Sequence, residues 1–135
     1  MKINYSSLPG TESTQLLMPI VPVVLINGKY DTPVYSLVDS GAVAGAISTV
    51  IADDLHIDWR NIPPRMGFSV GGNFRFHSIK LEAEIFDHRF PLKINVVEGI
   101  SAFKCILGQK DLFQRAKITF ERYKNQFEII FREYN

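Results

Sequence analysis

Disulfide chemistry is the first thing this sequence lacks. Cys105 is the single cysteine, so an internal crosslink is excluded, and its neighbours Ile106 and Leu107 mark it as a buried free thiol, not a nucleophile. An excess of charge is missing as well: 15 Lys and Arg stand against 14 Asp and Glu, a net charge of +1. That balance offers no handle for nucleic acid or a membrane surface. Lys117, Arg122 and Lys124 interleave with Glu121 and Glu128, the pattern of a solvated mixed-sign face. The apolar run Leu16 to Ile26 is broken by Pro19 and Pro22 and falls short of the about 20 residues a bilayer requires, so it reads as a strand. No basic segment leads into an apolar core at the N-terminus, and a cytoplasmic protein is expected. His56, His77 and His88 are scattered without metal-ligand spacing. They read as surface or turn residues, and neither a metal nor another cofactor is expected.

What is present suits one ordinary globular domain. The chain has 135 residues, 46% hydrophobic and 21% charged, enough to bury its own core. A single domain spanning 1–135 is expected, with its core at about 21–131. Lys2 to Tyr5 is a short strand. Val21 to Ile26 and Val34 to Val38 flank Asn27-Gly28, a hairpin signal because such turns need positive φ. Ser48 suits an N-cap for a helix from Thr49 to His56. Asp53 and Asp54 fall in that helix, about 100° apart, and read as surface charges that share no proton. Pro63-Pro64 breaks the chain. Phe68, Val70, Phe74 and Phe76 alternate around Gly71-Gly72-Asn73 and are expected on one face of a glycine-tipped hairpin. No helix start or Lys-Ser/Thr follows these glycines, against a phosphate cradle. Leu81 to Phe86 and Phe90 to Val97 form a hairpin about Asp87-His88. Ile118 to Tyr123 and Gln126 to Phe131 form another about Lys124-Asn125, and Gln109 to Arg115 reads as a second short helix.

The chemistry centres on Leu37-Val38-Asp39-Ser40-Gly41-Ala42. Two apolar β-formers run directly into a carboxylate, so an acid sits where a buried strand ends in a tight turn. A carboxylate is costly there unless hydrogen bonds or a shared proton compensate. An ordinary turn also uses Asp, Ser and Gly. A second apolar strand ending on glycine, Cys105-Ile106-Leu107-Gly108, precedes the short helix.

Taken together, these stretches resemble the retropepsin-like aspartic proteases over roughly Val21 to Phe131. The resemblance implies an all-β fold: a closed barrel with a glycine-tipped flap and two short helices. It implies that Asp39 is the catalytic acid and that Ser40 locks two active-site loops together. Gly41 would present its carbonyl to substrate, and Ala42 would border the cleft. Val70, Gly71, Gly72, Asn73 and Phe74 would form the flap against substrate, and Ile106, Leu107 and Gly108 would support the active-site loop. Chemistry of this kind needs two carboxylates sharing one proton. Asp-Ser-Gly occurs once, so a homodimer with one Asp39 from each chain is implied. An extended peptide is the expected substrate, with no nucleic-acid or membrane partner. Two departures bear on specificity: Val43 stands where retroviral members commonly carry an acid, and Gln109-Lys110 replaces the arginine often found after the glycine. The alternatives are a non-catalytic module that binds peptides on the same dimeric fold by strand addition, and an unrelated small β-barrel.

Overall fold

The computed structural model describes residues 1–69, 71–99 and 103–132. Alternating stretches become strands, and the buried members of each alternation make the core. Lys2–Asn4 forms β1. Ile20–Asn27 (β2) buries Ile20, Val21, Val23 and Leu25, then turns through Gly28 at a φ of 60° into Tyr30–Val38 (β3). Ala46–Ser48 (β4) leads into Thr49–Asp54 (α1). Ser48 caps that helix as expected, its Oγ accepting the Ile51 N–H at 3.3 Å. The helix stops short of the expected His56, because His56 adopts a φ of 56° that no helix contains.

Arg65–Ser69 (β5) pairs with the first part of Gly72–Ile85 (β6), and the rest of β6 pairs with His88–Val97 (β7). The second of these hairpins turns at Phe86-Asp87, one residue earlier than Asp87-His88. Phe86 takes the positive φ of 52°, and His88 is already paired with Ile85. Cys105–Leu107 (β8) is followed by Gln109–Phe113, then by Ala116–Glu121 (β9) and Gln126–Phe131 (β10). The stretch Gln109–Phe113 is a single wide turn in place of a helix reaching Arg115. Its amides reach back five residues: Phe113 N–H to Gly108 C=O at 3.2 Å and Gln114 N–H to Gln109 C=O at 3.0 Å.

The main sheet runs β2-β3-β8-β4-β7-β6-β5, and β2 also pairs with β6. The hydrogen-bonded order therefore returns on itself as a barrel-like ring. The expected closed barrel is realised only to this extent, since β2 meets β6 over just Val24↔Glu84, Leu25↔Ala83 and Ile26↔Glu82. A second sheet, β1-β10-β9, adds Phe127 and Ile129 to the core from below. Within the ring, β8 runs parallel to β3 and antiparallel to β4. The chain between β3 and β4 must cross the end of β8 to get from one side of it to the other, and that crossing is where Asp39 lies.

Candidate active site

Strand β3 ends with Ser36, Leu37 and Val38 all buried, as befits a strand enclosed on both faces. The last ladder bonds are Val38 N–H to Pro19 C=O and Asp39 N–H to Leu107 C=O, both 2.9 Å. Asp39 is half-buried, and Ser40 and Gly41 are exposed. The Asp39 Oδ1 accepts the Gly41 N–H at 2.9 Å and the Asp39 carbonyl accepts the Ala42 N–H at 3.3 Å. This local turn holds one carboxylate oxygen in place and leaves the group at the surface, able to meet water and a substrate.

The segment after β8 carries this loop. The Gln109 N–H donates to the Ala42 carbonyl at 2.8 Å, and the Lys110 N–H to the Val43 carbonyl at 3.0 Å. The Gln109 side-chain amide donates to the Ser40 carbonyl at 2.6 Å. A neutral carboxamide thus braces the loop at the position where the sequence resemblance favoured an arginine. Val43 itself is exposed. Gly108 is required by close approach: a Cβ there would overlap the Ala42 carbonyl oxygen and stand 3.0 Å from the Ala42 Cβ. Ile106, Leu107 and Gly108 accordingly lie beneath the Asp39 loop.

Sequence reading missed the second brace, Asp111. Its side chain is 1% exposed. One oxygen, Oδ2, accepts the Gly108 N–H at 3.1 Å, and the Gly45 amide also bonds the carboxyl. The other, Oδ1, is buried with no hydrogen-bond partner among the described residues. Burial pushes its pKa above the ordinary carboxylate range, against the smaller opposing pull of those amides. A Cβ on Gly45 would collide with this carboxyl and with the Ile106 carbonyl. The available signal was an acid three residues after Gly108, where side chains reach back to cap a helical turn. Cys105 is fully buried beside Ser36, and burial pushes its thiol up to about 12, which leaves it inert.

Two concavities flank the loop. Asp39 borders a groove of about 430 Å³ lined also by Met18, Pro19, Leu37, Ser40 and Phe120, with no second acid among the described lining residues. On the other side, a cavity of about 420 Å³ lies between β4, the end of β7 and the β5–β6 hairpin. Ala44, Ala46, Val97 and Ile106 give it apolar walls; Asn73 and Phe74 border it from the hairpin, and Glu98 from the end of β7. Gly71 and the positive-φ Gly72 sit at the exposed tip. Val70 lies outside the described residues.

The hairpin corrects one expectation. Phe68 pairs with Asn73 and Gly67 with Phe74, so Phe68 shares a face with Asn73, and Phe74 and Phe76 occupy the other. A two-residue connection sets odd positions of one strand opposite even positions of the next, and Phe68 is left 81% exposed. His77 corrects another: it is buried, not a surface residue. His56 and His88 are not buried, and they stack on Tyr30 and Phe131, each at 3.9 Å. Asp53 is exposed as expected but paired. It accepts from Trp59 Nε1 at 2.9 Å and Arg60 Nη1 at 3.0 Å, which hold its pKa below the ordinary carboxylate range, Arg60 foremost. Among the described residues no three His, Cys, Asp or Glu cluster as metal ligands, and no helix is long and apolar enough to cross a membrane.

No protein-family model and no curated protein sequence matches the chain. Solved structures do. A retropepsin-like aspartic protease from Rickettsia conorii aligns with a TM-score of 0.67 and 16% identity, over 96% of this chain and 98% of that one. The retroviral protease-like domain of Ddi1 from Leishmania major aligns at 0.60 and 24% identity, over 83% and 87%. EIAV protease, solved with the inhibitor HBY-793, aligns at 0.52 and 22% identity, over 68% and 82%. At such identities the likeness is one of architecture: the chain has the retropepsin-like fold.

Proposed function

We propose that this protein is an aspartic endopeptidase whose active site forms across a homodimer, each chain acting as a single domain that contributes one Asp39. The observation that carries this reading is the placement of Asp39: water-accessible, with Oδ1 fixed by the Gly41 amide, on a loop braced by Gln109 and Asp111. The groove beside it holds no second acid among its described lining residues, and Asp111 is too deeply buried to meet a substrate. One chain therefore supplies one usable carboxylate, and a two-fold partner supplies the other. Ser40 would tie the two loops together, and Gly41 would offer its carbonyl to the substrate backbone.

In the paired site one Asp39 is ionised and the other protonated. The ionised group takes a proton from water as the water oxygen attacks the scissile carbonyl, and the protonated group donates to the carbonyl oxygen. Collapse of the tetrahedral adduct breaks the C–N bond and returns a proton to the leaving amine, giving one carboxyl and one amine product. The β5–β6 hairpin acts as the flap, with Gly71 and Gly72 at its tip. The apolar walls formed by Ala44, Ala46, Val97 and Ile106 favour extended peptides with apolar side chains at the cleavage point. A second reading rests on β5, the outer strand of its sheet: a peptide could add there by strand pairing without turnover.

Mixing wild type with Asp39→Asn tests the proposal. After subunit exchange, confirmed by mass differences between tagged chains, activity per total chain should fall as the square of the wild-type fraction. A linear fall after confirmed exchange would refute the two-chain site. Peptide binding without cleavage by wild type, unchanged in Asp39→Asn, would establish the binding module instead.

A further inference from the structure

We propose that His77, bridging the Ile62 carbonyl and the Glu98 carboxylate, is a positioning residue that fixes the β5–β6 hairpin against the cleft wall. The inference rests on reading that hairpin as the flap. The last β5–β6 pair is Arg65↔Phe76, so His77 is the first residue of β6 below the hairpin. Its ring is 2% exposed as a residue and packs edge-on to Trp59 at 5.1 Å. Nδ1 lies 2.7 Å from the Ile62 carbonyl oxygen and Nε2 lies 2.8 Å from Glu98 Oε2.

Both neighbours are acceptors. A carbonyl has no proton to give, so Nδ1 carries one. Arg75 Nε stands 3.3 Å from the same Glu98 oxygen, so the carboxyl gathers the ring and the guanidinium at one point. The charged groups around the ring are Arg75 on β6, Glu98 after β7, and Arg60, whose guanidinium covers Trp59 at 4.3 Å and pairs with Asp53 of α1.

One ring thereby joins three pieces of chain. Ile62 leads through Pro63-Pro64 into β5, His77 belongs to β6, and Glu98 borders the cavity beneath the hairpin. The Glu98 N–H also donates to the Arg75 carbonyl at 3.0 Å, so backbone and side chain close the same junction. Loss of the ring would leave the Ile62 carbonyl and the Glu98 carboxyl without this bridge and loosen both legs of the hairpin at their base. Asp39 sits on a different loop, so the effect falls on the hold on substrate and not on the chemical step.

The test is kinetic. His77→Gln and Glu98→Gln should each raise KM for a peptide about tenfold while kcat changes less than about twofold. A folded variant with unchanged KM would refute the role. Should His77→Gln fail to fold, half-exposed Glu98→Gln carries the same readout. Should wild type cleave no peptide, the protease reading fails separately, and amide exchange across β5–β6 decides the clamp: faster in Glu98→Gln supports it, unchanged refutes it.

Discussion

Gly108→Ala isolates the contact on which the Asp39 loop rests. Gly108 has a φ of −127°, which any L-residue adopts, so the substitution carries no backbone strain. Its cost is steric. The new Cβ would stand 3.0 Å from the Ala42 carbonyl carbon and Cβ, and nearer still to the carbonyl oxygen. None of these atoms belongs to a side chain that can swing aside, and the Ala42–Val43 backbone is tethered by the Gln109 and Lys110 amides. The loop must move bodily by several tenths of an ångström. Overpacking of this kind costs about 1–3 kcal/mol. Restricting the unfolded chain returns about 0.4–1 kcal/mol, so the clash wins, with a net loss of roughly 1–2 kcal/mol and a Tm lower by roughly 3–8 °C. Because the same shift displaces Asp39, cleavage per folded molecule should fall further than stability does, by about ten- to a hundredfold. Gly71→Ala is the control, since its Cβ would meet nothing nearer than the Ser69 hydroxyl at 3.9 Å; with no clash to offset the unfolded-chain gain, it should leave the urea midpoint unchanged or slightly raised. Urea melts and peptide cleavage under fully folded conditions measure both. A Gly108→Ala protein as stable and as active as wild type would refute the bracing argument.

Two further outcomes follow from the supports of the same region. Asp111 has its folded pKa raised above the ordinary 3.8. Between 3.8 and that raised value the folded protein keeps a proton the unfolded chain has lost, so its stability contribution is fullest below 3.8 and declines as pH rises through the folded value. Asp111→Asn removes the titration, and urea melts from mildly acidic to neutral pH should show a shallower decline than wild type; parallel curves would refute the assignment. Ser48→Ala deletes the α1 cap and should lower stability by about 0.5–1 kcal/mol, the modest end for a cap. It should shift the urea midpoint at constant slope, and an unchanged midpoint would show that the cap contributes nothing.

The legible parts of this protein are the ones whose causes are local. An Asn-Gly pair between two alternating apolar runs specifies the β2–β3 hairpin from a handful of neighbours. A serine before a helix-forming run specifies its cap. The Asp39 turn is equally local, since the Gly41 amide that orients the carboxylate is two residues away. The parts that escaped depend on long-range pairing. The face of Phe68 is not legible locally, because facing depends on whether the connection contains an even or an odd number of residues, and the glycine-rich tip leaves that open. His77 reads as a lone polar residue until Ile62 and Glu98, separated from it by 15 and 21 residues, arrive on either side of the ring. Asp111 reads as one more helix acid until Gly45 comes back from across β8.

This division has a physical consequence for the site. The groups that would perform the chemistry lie on one short turn, so their geometry is set by a local hydrogen bond and persists wherever that turn forms. The groups that aim the turn, Gln109, Gly108 and Asp111, belong to a segment about 70 residues later, with the Gln109 amide reaching Ser40 across a separation of 69. The turn can therefore exist without being aimed. Partial unfolding of the segment after β8 would leave Asp39 in its Asp-Ser-Gly turn but free the loop to drift relative to Ile106 and the cavity wall. A second Asp39 from a partner chain would have to meet the first within the tolerance of a shared proton, so aim matters more than turn formation. The buried, costly Asp111 is intelligible on those terms. It destabilises the domain at neutral pH through its own desolvation, and it joins Gly45, where the Asp39 loop rejoins the sheet at β4, to Gly108, where the chain leaves β8.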